Sequence, residues 1–188
     1  MAKKYFLLLL AMCLANTAAQ ASKDQGVYVG GGVSLINVGV RDPFSNEVNF
    51  KAGELMIGYK YNAYLGAEIR TGKNLQKETL AVNSQDTGLR DSVESSIDLY
   101  TSVYYRAELA NEIAKVYLLL GQSRVTTTLE FDESGRDTIE ATDSGFSYGI
   151  GFGLWIDERM NLNVEYKNLV DTETDSFTGA SITADYRF

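Results

Sequence analysis

The chain has no histidine, one cysteine and one proline among its 188 residues. Without histidine, the commonest general base of catalysis and a common soft-metal ligand are both missing. That comes close to excluding serine triads, His-Cys catalysis and histidine-ligated zinc or haem. Cys13 has no second cysteine to pair with, so no disulfide framework holds the fold. Beyond the N-terminal segment there is no stretch of the roughly twenty apolar residues that a spanning helix requires. Positive charge is scarce too. The 17 Lys and Arg stand against 25 Asp and Glu, which argues against nucleic acid as a partner, because phosphates need clustered cations. What remains is one domain's length of chain, enough to bury a core with no structural metal and no cofactor.

The chain opens with an export label. Lys3 and Lys4 precede an apolar run from Tyr5 to Leu14, and Ala19-Gln20-Ala21 has the small-x-small form of a signal-peptidase site. The expected division is a cleaved signal over 1–21 and a single domain over 22–188.

After Ser22 the apolar residues recur with a period of two, the period of a strand with unlike faces. Phe146, Tyr148, Ile150, Phe152, Leu154 and Ile156 alternate with serine, glycine and Trp155; Met160, Leu162, Val164 and Tyr166 alternate with Asn161, Asn163, Glu165 and Lys167. Only Asp157 to Arg159 separates the two, the length of a tight hairpin turn. Upstream, similar stretches begin near Val27, Leu55, Leu65 and Ile97, and a last one runs from Ala180 to Phe188. Lys115 to Arg124 leaves its apolar face open, because Leu118, Leu119 and Leu120 are consecutive. Ala107 to Ala114 has apolar residues at helical spacing, but its strand-like flanks favour a turn.

These segments make eight expected strands with connections alternating in length. The short ones are Tyr61 to Ala63, Ala107 to Ala114 and Asp157 to Arg159. The long ones are Val38 to Asn49, Gly72 to Ser95, Thr127 to Asp143 and Asn168 to Ser176. The long connections hold fifteen acidic and five basic residues, while the rest of the exported chain holds ten of each. A balanced strand region suits a sealed interior where charges pair, since an unpaired buried charge is costly. The charges opposite the apolar face are Glu54, Lys60, Glu68, Arg70, Asp98, Arg106, Glu165, Lys167, Asp185 and Arg187. If the apolar face meets lipid, these ten form a charge network in the lumen. Strands spanning hydrocarbon must close into a barrel, because every backbone polar group there needs a partner. The expected fold is therefore all-β: an eight-stranded antiparallel up-and-down transmembrane barrel.

Gly26-Val27-Tyr28-Val29-Gly30-Gly31-Gly32-Val33, Gly53-Glu54-Leu55-Met56-Ile57-Gly58-Tyr59-Lys60-Tyr61 and the terminal Tyr186-Arg187-Phe188 give the chain its resemblance to the small outer-membrane β-barrel family. This is the group of the OmpA transmembrane domain and the eight-stranded OmpX-like proteins. Ile182, Ala184, Tyr186 and Phe188 resemble the C-terminal signal read by the barrel-insertion machinery. The resemblance implies a bacterial outer-membrane location, with long loops extracellular and termini periplasmic. It implies outer-membrane lipid and lipopolysaccharide as surroundings, insertion machinery and periplasmic chaperones as partners in biogenesis, and a monomer.

An eight-stranded interior is just wide enough for its own side chains. The leading expectation is a non-enzymatic scaffold displaying four acidic loops, for envelope integrity or adhesion. The alternatives are a narrow gated pore and, behind it, a lipid-modifying enzyme using a carboxylate pair such as Asp132 and Glu133. The acids of the third loop, Glu130, Asp132, Glu133, Asp137, Glu140 and Asp143, match no ordered calcium-loop spacing and read as diffuse counterion attraction, so no metal site is expected.

Overall fold

The computed structural model describes residues 25–40, 48–75, 78–83, 90–131, 138–171 and 175–188. The expected signal segment lies outside them. Nine strands follow in order: β1 (Gly26–Val40), β2 (Val48–Lys60), β3 (Leu65–Asn74), β4 (Glu78–Asn83), β5 (Arg90–Ala110), β6 (Ala114–Phe131), β7 (Thr138–Trp155), β8 (Met160–Asp171) and β9 (Asp175–Arg187). Each pairs antiparallel with a sequence neighbour, β1 also pairs β9, and β3 also pairs β5, so the sheet closes on itself. β3 and β4 lie end to end along β5, from Leu65↔Ala107 to Gly72↔Tyr100 and then from Glu78↔Ser95 to Asn83↔Arg90. They form one interrupted stave. The barrel thus has eight staves, the architecture expected from the alternation.

Which face points outward follows from exposure. Leu55 is 67 % exposed and Tyr105 72 %, whereas Arg70 and Lys167 are each 1 % exposed. A continuous apolar exterior of this extent is unstable in water and stable in hydrocarbon. The open question over β6 resolves the same way: Lys115, Tyr117 and Leu119 point in, while Val116, Leu118 and Leu120 point out. Lys115 and Tyr117 need polar partners, and only the interior offers them.

The three short connections share one device. Asn62 Oδ1 accepts the amides of Tyr64 and Leu65 at 2.8 and 2.9 Å, Asn111 Oδ1 those of Ile113 and Ala114 at 2.8 and 2.7 Å, and Asp157 Oδ1 those of Arg159 and Met160, both at 2.7 Å. A short Asx side chain substitutes for the strand ladder where the chain reverses. The two amides hold the Asp157 carboxyl below its ordinary pKa. β5 continues through Ala110, so the helical alternative for 107–114 does not occur.

At the opposite end the strands run well past the expected loop boundaries. β5, β6 and β7 take up much of what alternation assigned to the second and third loops, and Glu130, Glu140 and Asp143 lie on β6 and β7 rather than in a loop. Asp132, Glu133 and Asp137 lie outside the described residues. The misjudgement has a physical cause: the period of two persists here, but its phase inverts. Ile36, Phe50, Ala52, Val125, Leu169, Val170 and Phe177 turn inward and cluster with Tyr100. Outward from this level stand polar residues, including the Asn37–Asn49 pair (Nδ2 to Oδ1, 3.2 Å) and the Thr126–Thr142 hydroxyl pair (3.2 Å). Below the inversion the wall is apolar outside and charged inside; above it the wall is built like a water-soluble sandwich. The inversion marks where water replaces hydrocarbon around the barrel.

Candidate functional site: an ion-paired lumen

The lumen is organised around Arg70 on β3. Its guanidinium reaches Glu54 (β2) at 2.8 Å, Glu68 (β3) at 2.5 Å and Glu165 (β8) at 2.5 Å. Each of these three carboxylates also accepts a tyrosine hydroxyl: Tyr100 donates to Glu54 at 2.5 Å, Tyr28 to Glu68 at 2.6 Å, and Tyr117 to Glu165. Lys167 completes the layer, 2.6 Å from Glu54 and 3.3 Å from Glu165. Nearer the short turns a second group forms around Glu108, with Lys60 at 2.8 Å, Arg106 at 3.0 Å and Arg187 at 3.1 Å. Asp185 takes Lys115 at 3.3 Å and the amides of Asn161 and Asn163 at 2.5 and 2.9 Å. Arg106 links the two groups, reaching Glu68 at 3.3 Å and stacking 3.6 Å from the centre of the Tyr117 ring.

Nine of the ten charges placed on the lumen face by alternation are buried in this network. The tenth, Asp98, is half-buried at the bulge between Ile97 and Leu99, on the far side of the Arg70 layer, where Thr128 donates to it. Sequence reasoning missed Glu108 and Lys115, both fully inside. Counting by twos from Arg106 reaches Glu108, so the signal is present, but the turn expected over 107–114 hides it. Ile182, 53 % exposed, and the half-exposed Ala184, Tyr186 and Phe188 lie along the outer face of the last strand. There the Tyr186 and Phe188 rings meet edge to face at 5.2 Å, and the Phe188 amide donates to the Val27 carbonyl at 3.0 Å.

Glycine makes room for the network. Tyr28 stands directly across the ladder from Gly58, Tyr100 from Gly72 and Tyr117 from Gly151. A methyl group on any of the three glycines would come within 2.2–2.3 Å of the facing ring. Each tyrosine therefore lies over a bare patch of backbone, which lets its hydroxyl reach one of the three carboxylates around Arg70. Lys60, Lys115 and Lys167 repeat the arrangement opposite Gly66, Gly153 and Gly149. Gly58→Ala and Gly151→Ala are each expected to destabilise the barrel by about 1–3 kcal/mol, because a ring fixed at both ends has nowhere to go. Urea unfolding in lipid vesicles, read by heat-modifiable migration, measures this. Gly39→Ala, whose added methyl would meet nothing closer than 4.0 Å, is the neutral control.

Among the described residues no group of three or more potential metal ligands is assembled. The geometry is that of a packed and charge-balanced interior.

The same wall architecture appears in solved structures. Ail, the attachment invasion locus protein of Yersinia pestis, solved with the heparin analogue sucrose octasulfate, superposes with a TM-score of 0.63 at 15% identity, covering 88% of this chain and 99% of that one. Neisserial surface protein A gives 0.58 at 14% identity (90% and 99%), and the outer membrane protein OprG of Pseudomonas aeruginosa 0.56 at 12% (88% and 97%). At these identities the likeness is one of fold. No curated protein matches the sequence. The model of the outer membrane protein beta-barrel domain family matches residues 6–188, and with the closed, lipid-facing barrel described above it establishes that this chain is a member of that family.

Proposed function

We propose that this outer-membrane barrel is a surface attachment scaffold, with its short turns and both described ends of the barrel wall toward the periplasm and its long staves toward the outside. The observation that carries the reading is the uneven height of the wall. β5, β6 and β7 have 21, 18 and 18 residues, against 12 and 13 in β8 and β9. The β7–β8 ladder ends at Tyr148↔Asn168, so among the described residues the stretch from Thr138 to Ser147 pairs only with β6. On the other flank, among the described residues, β4 pairs only with β5. A four-stranded sheet with two unshared edges therefore rises above the rest of the barrel. Such edges present rows of backbone donors and acceptors that an extended segment of another protein can join as an added strand. The attachment name carried by Ail lends the reading support by likeness of fold.

Two experiments test it. Ser144→Cys on intact cells is expected to react with a membrane-impermeant maleimide; protection of that thiol overturns the orientation. Replacing residues 127–141 with Asn-Gly joins Thr126 directly to Thr142, its ladder partner, in a turn suited to a two-residue hairpin. This shortened chain is expected to stay heat-modifiable while cells displaying it lose attachment to cultured host cells. Undiminished attachment removes the projecting sheet from the function.

A further inference from the structure

In a chain that is acidic overall, the outward face just beyond the apolar band carries cations. Lys51, Lys73 and Arg124 are all exposed there. Lys51 and Lys73 occupy neighbouring staves, β2 and β3, and Arg124 lies on β6, beyond β5. Lys73 stands opposite Gly53, two positions from Lys51, which puts the two lysines in a diagonal relation at about 7–8 Å. Arg124 faces Thr101, which faces Thr71, so it lies two staves from β3, a lateral distance of about 10 Å. Below them the wall is apolar, with Leu55, Ile57, Ile69, Leu118 and Leu120 exposed. Lys51 and Arg124 lie about ten residues along their strands from the short turns, which after strand tilt is about 25 Å, the height of an outer-membrane apolar band.

We infer that Lys51, Lys73 and Arg124 form a lipid-headgroup site that takes the phosphates of a phosphorylated glycolipid in the outer leaflet. The placement excludes most other ligands. A soluble anion would gain nothing from the apolar wall beneath, and a zwitterionic lipid would satisfy cations and anions alike. An amphiphile with acyl chains along Leu55 and Leu120 and phosphates one level higher uses both halves of the surface. Long Lys and Arg stems reach upward along such a wall while keeping their charge in the headgroup layer. Gly53 adds no side chain of its own between the two lysines, and Leu75, 61 % exposed, lies over it and adds to the apolar surface there.

That the site meets the outer leaflet rests on the orientation proposed above, which the Ser144→Cys labelling tests separately; the phosphate preference does not depend on it. The full chain in zwitterionic detergent micelles, titrated with bisphosphorylated lipid A, with the same lipid dephosphorylated, and with inorganic phosphate as competitor, reads the site by native mass spectrometry. The wild type is expected to retain the phosphorylated form preferentially, less so as salt rises. The Lys51→Gln/Lys73→Gln/Arg124→Gln variant is expected to lose about fivefold in affinity per cation removed. Lys51→Arg/Lys73→Arg, which keeps the charge, is expected to bind as the wild type does, and holds the comparison if the triple variant folds poorly. Equal retention of the two lipid forms by the wild type, or unchanged retention by the triple variant, overturns the site. Displacement by inorganic phosphate at equal concentration overturns its assignment to a lipid.

Discussion

Arg70→Met is expected to cost this barrel about 3–5 kcal/mol, the penalty for removing one partner of a buried ion pair and leaving the other uncompensated. The cost is concentrated at this residue because one guanidinium serves Glu54, Glu68 and Glu165 together, and among the described residues no other cation touches all three. Without it, Lys167 still reaches Glu54 and Glu165, and Arg106 still reaches Glu68, but Arg106 is already shared with Glu108. The loss is one of charge balance more than of volume, since methionine fills part of the space. The double variant Arg70→Met/Glu165→Gln is accordingly expected to recover a substantial part of the stability, because the amide keeps the shape of Glu165 and removes its charge. Urea unfolding in phosphatidylcholine vesicles, with the four corners of the cycle measured together, checks this. A single variant as stable as the wild type, or a double variant no more stable than Arg70→Met, would show that Arg70 packs the lumen without balancing it.

Much of this layout is legible in the sequence, and the failures are local. Strict alternation from Glu54 to Lys60 and from Asn161 to Lys167 marks the inner face directly, because a residue's parity decides its side of the wall. Parity is uninformative in three kinds of place. Where Leu118 to Leu120 run together, hydrophobicity cannot choose a face; it is Lys115 and Tyr117, needing Asp185 and Glu165, that choose it. Where bulges fall, between Ile97 and Leu99 and between Asn168 and Val170, the count slips, and Asn168, Leu169 and Val170 are buried in succession. Above the membrane the rule itself reverses, so Phe50, Val125 and Phe177 looked like loop-flanking residues when they form the inner face of continuing strands. The glycine–tyrosine pairs were out of reach for another reason. Tyr28 and Gly58, or Tyr117 and Gly151, meet only through cross-strand register, which no single segment encodes. The three Asx turns, by contrast, have a readable form, an Asn or Asp three residues before the next strand's first apolar position.

The phase inversion leads to the other large expected effect, on conductance. Two layers of buried side chains lie in series along the lumen: the ion-paired layer around Arg70 and, beyond it, the apolar cluster of Ile36, Phe50, Val125, Leu169 and Phe177. These layers exclude ions for different reasons. The first fills the cross-section with side chains fixed by charge; the second is built mainly of apolar side chains, which offer little to replace an ion's hydration shell and so make it a barrier even where it is loosely packed. Either layer alone is then expected to suffice to keep the barrel shut. In planar bilayers the wild type is expected to show no steady openings, and neither the charge-balanced pair Arg70→Ala/Glu165→Gln nor the pair Phe50→Ala/Phe177→Ala is expected to change that. The four substitutions combined, in protein that still shows heat-modifiable migration, are expected to give discrete openings. Steady conductance in the wild type would mean that the described lumen is not the closed state of a scaffold but a resting state of a pore. Openings from Phe50→Ala/Phe177→Ala alone would place the whole barrier in the apolar layer and leave the ion pairs to stability. The contrast is useful because the same two layers answer differently to denaturant: Arg70→Met should weaken the fold without opening it.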